Sequence, residues 1–186
     1  MGFNAKLSLD RERITRAGIA VMGVALEYAA NSPDPSTQNA AVLISRDGEI
    51  LEDTLVLNTF PEGVLVSEER WERPVKYHHV EHAERNAIYA AARVGIQTQG
   101  KILVCVWAAC SDCARAIIQS GISCLVRYKD GGGADAWDNS ISIADTMMIE
   151  AGVEIITIEE PLEGFPALRR NGALWSTSSC PLMELA

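Results

Sequence analysis

A chain of 186 residues, 48% hydrophobic and 22% charged, holds enough apolar material for one packed domain and too much for disorder. Its formal charge of −9, from 25 acidic and 16 basic residues, sets a field that repels a nucleic-acid polymer, and the longest basic run is Arg169-Arg170. No apolar run reaches membrane-spanning length and Met1 to Asp10 lacks the apolar stretch of a secretory signal, so five cysteines are expected in a reduced, cytoplasmic setting.

Periodicity predicts a first helix from Asp10 to Ala30, with Ile14, Ala17, Val21, Val24 and Tyr28 on one face. The cluster Asn31-Ser32-Pro33-Asp34-Pro35 ends it. Strands Ala40 to Ile44 and Ile50 to Leu57 follow, joined by Arg46-Asp47-Gly48. The stretch from Asn58 to Val80, with Pro61, Gly63 and Pro74, reads as a long irregular loop of the kind that carries function.

From there helices and strands alternate. Helices His82 to Val94, Cys110 to Ser120 and Ile141 to Ala151 stop at Gly95, Gly121 and Gly152. Strands Ile102 to Trp107, Ile122 to Tyr128 and Val153 to Ile158 come after or between them. The alternation implies a largely parallel sheet with helices packed on it. Gly131-Gly132-Gly133 reads as loop. Residues 1–160 are expected to form a single domain and residues 161–186 a C-terminal extension. Cys105 and Cys124 fall in apolar strand patterns as small core residues, Trp107 packs beneath the candidate site, and Cys180 has no assigned role.

Two short segments carry the chemistry: His82-Ala83-Glu84 and Cys110-Ser111-Asp112-Cys113. One imidazole and two thiolates supply three ligands to zinc and leave a fourth position for water, the pattern of a catalytic site. The i, i+3 spacing lets both sulfurs reach one ion, and a helix N-terminus favours their thiolate form. Zinc brings the pKa of its water to about 7, and Glu84 is the spare carboxylate that can carry the proton, which together suit hydrolytic deamination. A C-x-x-C with a distant histidine also suits a redox pair or buried thiols. The placement of H-A-E at one helix start and C-x-x-C at the next, with a strand between, favours metal. His78 and His79 read first as loop residues lining or covering the site, with ligand contact as the second reading.

The chain resembles the zinc-dependent cytidine and deoxycytidylate deaminase superfamily, most of all its deoxycytidylate (dCMP) branch. The resemblance rests on Asp34-Pro35-Ser36-Thr37-Gln38 before Ala40–Ile44, on Asn58-Thr59-Phe60-Pro61-Glu62-Gly63 and on Lys76-Tyr77. It rests also on His82-Ala83-Glu84-Arg85-Asn86-Ala87-Ile88 and on the run from Cys110 to Ile122. It implies a three-layer α/β/α fold, a mixed five-stranded sheet with helices on both faces. It implies one Zn2+ on His82, Cys110 and Cys113, with Glu84 as proton shuttle. Asn58, Ala83, Asn86, Arg115 and His79 are its substrate-side candidates, and Arg115 serves equally as a helix-surface residue. A nucleotide effector with Mg2+ and a homo-oligomer, dimer to hexamer, are further implications. Ala109 stands where the family carries Pro, Thr59 replaces the usual Gly, and Arg85 occupies an often aliphatic position.

The expected activity is deamination of a free pyrimidine nucleotide, dCMP to dUMP. The alternatives are deamination of another free base or nucleoside, including a modified cytosine or a purine, and a zinc-stabilised subunit without turnover. The acidic balance disfavours a polynucleotide substrate, and no membrane partner is expected.

Overall fold

In the computed structural model, which describes residues 11–128 and 137–177, helix α1 spans Arg11–Ala29. Its buried stripe is Ile14, Gly18, Val21, Met22, Ala25, Leu26 and Ala29. The expected face is rotated from this: Val24 and Tyr28 are 37% and 36% exposed. Small residues explain the shift. A Cβ on Gly18 would meet Val126 Cγ1 at 2.8 Å, so the glycine lets the helix backbone lie directly on the sheet.

Strand β1 (Ala40–Ile44) forms as expected, but its expected partner is interrupted. A 3₁₀ turn occupies Glu52–Thr54, and only Val56–Leu57 pairs as β2. The cause is local. Thr54 Oγ1 accepts the Leu43 N–H at 2.9 Å and donates to Leu51 O at 2.6 Å, so a side chain stands in for a ladder bond. The following loop contains a short helix α2 (Glu68–Trp71) and a 3₁₀ turn over Val75–His78.

Helix α3 (Ala83–Val94), strand β3 (Ile102–Cys105), helix α4 (Ser111–Gln119), strand β4 (Cys124–Tyr128), helix α5 (Asp138–Glu150) and strand β5 (Glu154–Ile158) complete the alternating part. The sheet order is β2-β1-β3-β4-β5, with β1 antiparallel to both neighbours and β3, β4 and β5 parallel. Period-2 alternation divides the strand residues into two cores. Val42, Ile44, Val104 and Val126 pack with Met22 and Leu26 of α1. Leu43, Leu103, Cys105 and Leu125 pack with Ala87, Ala91, Ile117 and Met148 of α3, α4 and α5. Helices on both faces of a mixed five-stranded sheet are therefore the observed architecture.

Within the expected extension, strands β6 (Leu168–Arg170) and β7 (Ala173–Trp175) form a hairpin. Leu168 and Trp175 join the α1-side core, so these residues pack on the domain. Asp10, the Gly131-Gly132-Gly133 loop and Cys180 lie outside the described residues. Among the described residues no helix is long and apolar enough to cross a membrane.

Candidate metal centre

The residue ahead of α3 is His82 and the residue ahead of α4 is Cys110; both have extended backbones, and neither spends its side chain on a capping hydrogen bond. The two helices pack side by side, which brings their starts together. His82 Nδ1 lies 3.6 Å from Cys110 Sγ and 3.5 Å from Cys113 Sγ, and the sulfurs are 3.5 Å apart. Zn–S bonds of about 2.3 Å and Zn–N bonds of about 2.0 Å in a tetrahedron separate such donors by roughly 3.5–3.8 Å. The donor set therefore fits zinc in both chemistry and spacing. It is the one His/Cys/Asp/Glu cluster of metal-binding geometry among the described residues.

The electrostatics favour ligation. A hydrogen bond shared with Cys113, followed by the bond to His82 and that imidazole's charge, overcomes burial and holds Cys110 down at about 3. Cys113, on the other side of the shared proton and buried, is pushed well above the ordinary thiol range. Burial opposes charge on His82, but the Cys110 hydrogen bond and the charges of Glu84 and Cys110 outweigh it and raise its pKa. Arg85 donates from Nη1 to Cys113 Sγ at 3.4 Å while pairing with Glu81, so the atypical arginine sits beside a ligand.

Glu84 is 2% exposed, and burial pushes its carboxyl pKa up, against the opposing charge of His82. Asn39 Nδ2 donates to its Oε2 at 3.2 Å. His82, Glu84 and Cys110 line one cleft. Asn58 lines it too. The Asn58 Oδ1 accepts the Ala83 N–H at 2.8 Å and its Nδ2 donates to Thr37 O at 3.1 Å, so it ties the wall to the start of α3.

The remaining candidates lie elsewhere. Asn86 donates to Leu57 O at 2.9 Å and fastens α3 to the end of β2. Arg115 is exposed on α4 and pairs with Asp112. His79 Nδ1 meets Val75 O at 3.1 Å, with its ring beside Phe60. None of these three lines the cleft. Sequence reasoning passed over Arg73, Trp137, Arg170 and Asn171, which do line it. For the last two a signal existed: Asn171-Gly172 is a strong hairpin dipeptide.

Residues 17–129 match the cytidine and deoxycytidylate deaminase zinc-binding region. The chain belongs to this deaminase family. An uncharacterized deaminase from the luxG 3′ region of Aliivibrio fischeri is 36% identical over 127 residues, 67% of this chain and 81% of that protein. The deoxycytidylate deaminase of enterobacteria phage T2 is 36% identical over 77 residues, 41% of this chain and 38% of the relative. The apo dCMP deaminase of cyanophage S-TIM5 is similar in fold, with a TM-score of 0.59 and 23% identity over 77% of this chain and 98% of that one. In this zinc-dependent deaminase His82, Cys110 and Cys113 form the candidate metal site, and Glu84 lines the cleft with His82 and Cys110.

Proposed function

We propose that this deaminase converts a free pyrimidine nucleotide, dCMP, to dUMP and ammonia, exchanging the C4 amine for a carbonyl oxygen taken from water. The buried Glu84 beside the cradle carries the reading, because a purely structural zinc site gains nothing from that carboxylate. His82, Cys110 and Cys113 hold the zinc ion, which when bound supplies a Lewis acid that acidifies water. Glu84 accepts a proton from the attacking water and delivers it to N3 of the base. It then takes the proton of the new C4 hydroxyl and passes it to the amine, which leaves as ammonia while the C4 carbonyl forms. Burial raises its pKa, which makes the carboxylate a better proton acceptor than an exposed one. Asn58, with hydrogen-bonding capacity beyond its two scaffold bonds, meets the sugar side.

The phage relative's name supports deoxycytidylate as the substrate. The four free cysteines among the described residues suit a reducing cytoplasm, and the assembly we propose is a homo-oligomer of two to six chains. The test is ammonia release from dCMP, dCTP, CMP, deoxycytidine, cytosine and adenine and guanine compounds. It is run with and without dCTP or dTTP plus Mg2+ to look for an effector. Turnover of dCMP above the others supports the reading, and turnover of purines alone overturns it.

A further inference from the structure

The C-terminal hairpin lies beyond the family-matched residues, yet it lends Arg170 and Asn171 to the cleft wall. We propose that Arg170 and Arg73 form an anion-binding rim that recognises the substrate's phosphate and so selects a nucleotide over its nucleoside. The proposal rests on the nucleotide reading above and assigns that selection to residues of this chain.

Hairpin geometry fixes one guanidinium. Asn171 and Gly172 have φ of +52° and +88°, the primed turn that a two-residue hairpin needs. Leu168 pairs with Trp175 and Arg170 with Ala173, so alternation places Arg170 on the same inward face as the buried Leu168 and Trp175. Its guanidinium lies 4.7 Å over the Trp107 ring. That ring is itself fixed by Trp107 Nε1 donating to Gln38 O at 2.7 Å and by Trp175, edge-on at 4.6 Å. A guanidinium stacked on a ring keeps its N–H donors in its own plane, the geometry that matches phosphate oxygens.

The second guanidinium is tied to the same turn, since Arg73 Nη2 donates to Asn171 Oδ1 at 3.2 Å. The hairpin in turn is fastened to the segment before β1. Gln38 N donates to Arg169 O at 2.8 Å, and Gly172 N to Ser36 O at 2.8 Å. The next residue, Asn39, holds Glu84, so rim and proton carrier share one frame. Among the described residues the carboxylates that line the cleft are Asp34 and Glu84. Lys76 Nζ donates to both oxygens of Asp34 at 2.7 Å, and Lys76 lines the cleft together with Arg73 and Arg170.

The test compares kcat/KM for dCMP and deoxycytidine in the zinc-loaded wild type, Arg170→Gln, Arg73→Gln and Arg170→Lys. Loss of a charge-assisted contact is expected to shrink the dCMP preference about 10- to 100-fold in each Gln variant and less in Arg170→Lys. Equal losses on both substrates, or an unchanged preference, would overturn the proposal. Calorimetric titration with inorganic phosphate judges the rim separately. Binding by the wild type that is lost in Arg170→Gln upholds it, whereas no binding by the wild type, or equal binding by both proteins, overturns it. If wild type releases ammonia from no pyrimidine nucleotide, the substrate reading fails, and the phosphate titration still decides the rim.

Discussion

Asn39 donates from Nδ2 to Glu84 Oε2 at 3.2 Å, which fastens the buried carboxylate to the residue just before β1. Asn39 is itself 3% exposed, and its carbonyl accepts the Asn58 N–H at 3.2 Å. The proton carrier is thus aimed by the sheet, not only by its own helix. Asn39→Leu is expected to lower kcat about 10- to 100-fold, the range for a lost hydrogen bond to a charged group, with zinc content retained. Steady-state kinetics with metal analysis checks this, and an unchanged kcat would show that the contact does not position Glu84.

A second expectation concerns the buried pair in the cleft wall. The Lys76 and Asp34 side chains are 4% and 1% exposed, and Lys76 Nζ also donates to Ser36 Oγ at 2.6 Å. Lys76→Met leaves Asp34 as an unpaired buried charge, at a cost of about 3–5 kcal/mol. For a chain of this size that lowers Tm by roughly 6–20 °C. The double variant Lys76→Met/Asp34→Leu should regain part of the loss. Strictly additive Tm changes would mean that the two residues do not act as a pair.

Cys124 makes stability depend on alkaline pH. Burial, with a smaller push from Glu154, raises its thiol from 9.0 to about 12. The folded state keeps the proton where the unfolded state loses it. The stabilisation is therefore complete below pH 9 and is lost as pH rises toward 12, by up to about 1.4 kcal/mol per pH unit. Urea unfolding of wild type and Cys124→Ala should give a stability difference that narrows above pH 9. Parallel curves would place the thiol in a more solvated setting.

The parts of the site that were legible in the sequence are those held by local spacing. Glu84 stands two residues after His82, and Cys113 three after Cys110, each pair at a helix start where backbone geometry fixes the relation. The strands were legible because apolar runs such as Ala40–Ile44 are buried on both faces. What the sequence hid depends on side chains acting at a distance. Thr54 breaks the expected strand by bonding across to Leu43. Gly18 and Ala25 belong to the buried stripe of α1 with little or no side chain to mark it, which displaced the expected face toward Val24 and Tyr28. Arg73 and Arg170 are 97 positions apart and share a wall only because the hairpin folds back onto residues 36–38.

The most direct measurement is ammonia release from dCMP alongside zinc content, in wild type and in Glu84→Gln. The amide keeps the shape of the carboxylate and cannot carry its proton. Wild type is expected to hold about one zinc per chain and turn over, losing activity to a chelator and regaining it with Zn2+. Glu84→Gln is expected to hold the same zinc and lose turnover by several orders of magnitude. Full turnover in Glu84→Gln, or a wild type active without zinc, would contradict the assignment of this cleft as a zinc deaminase centre.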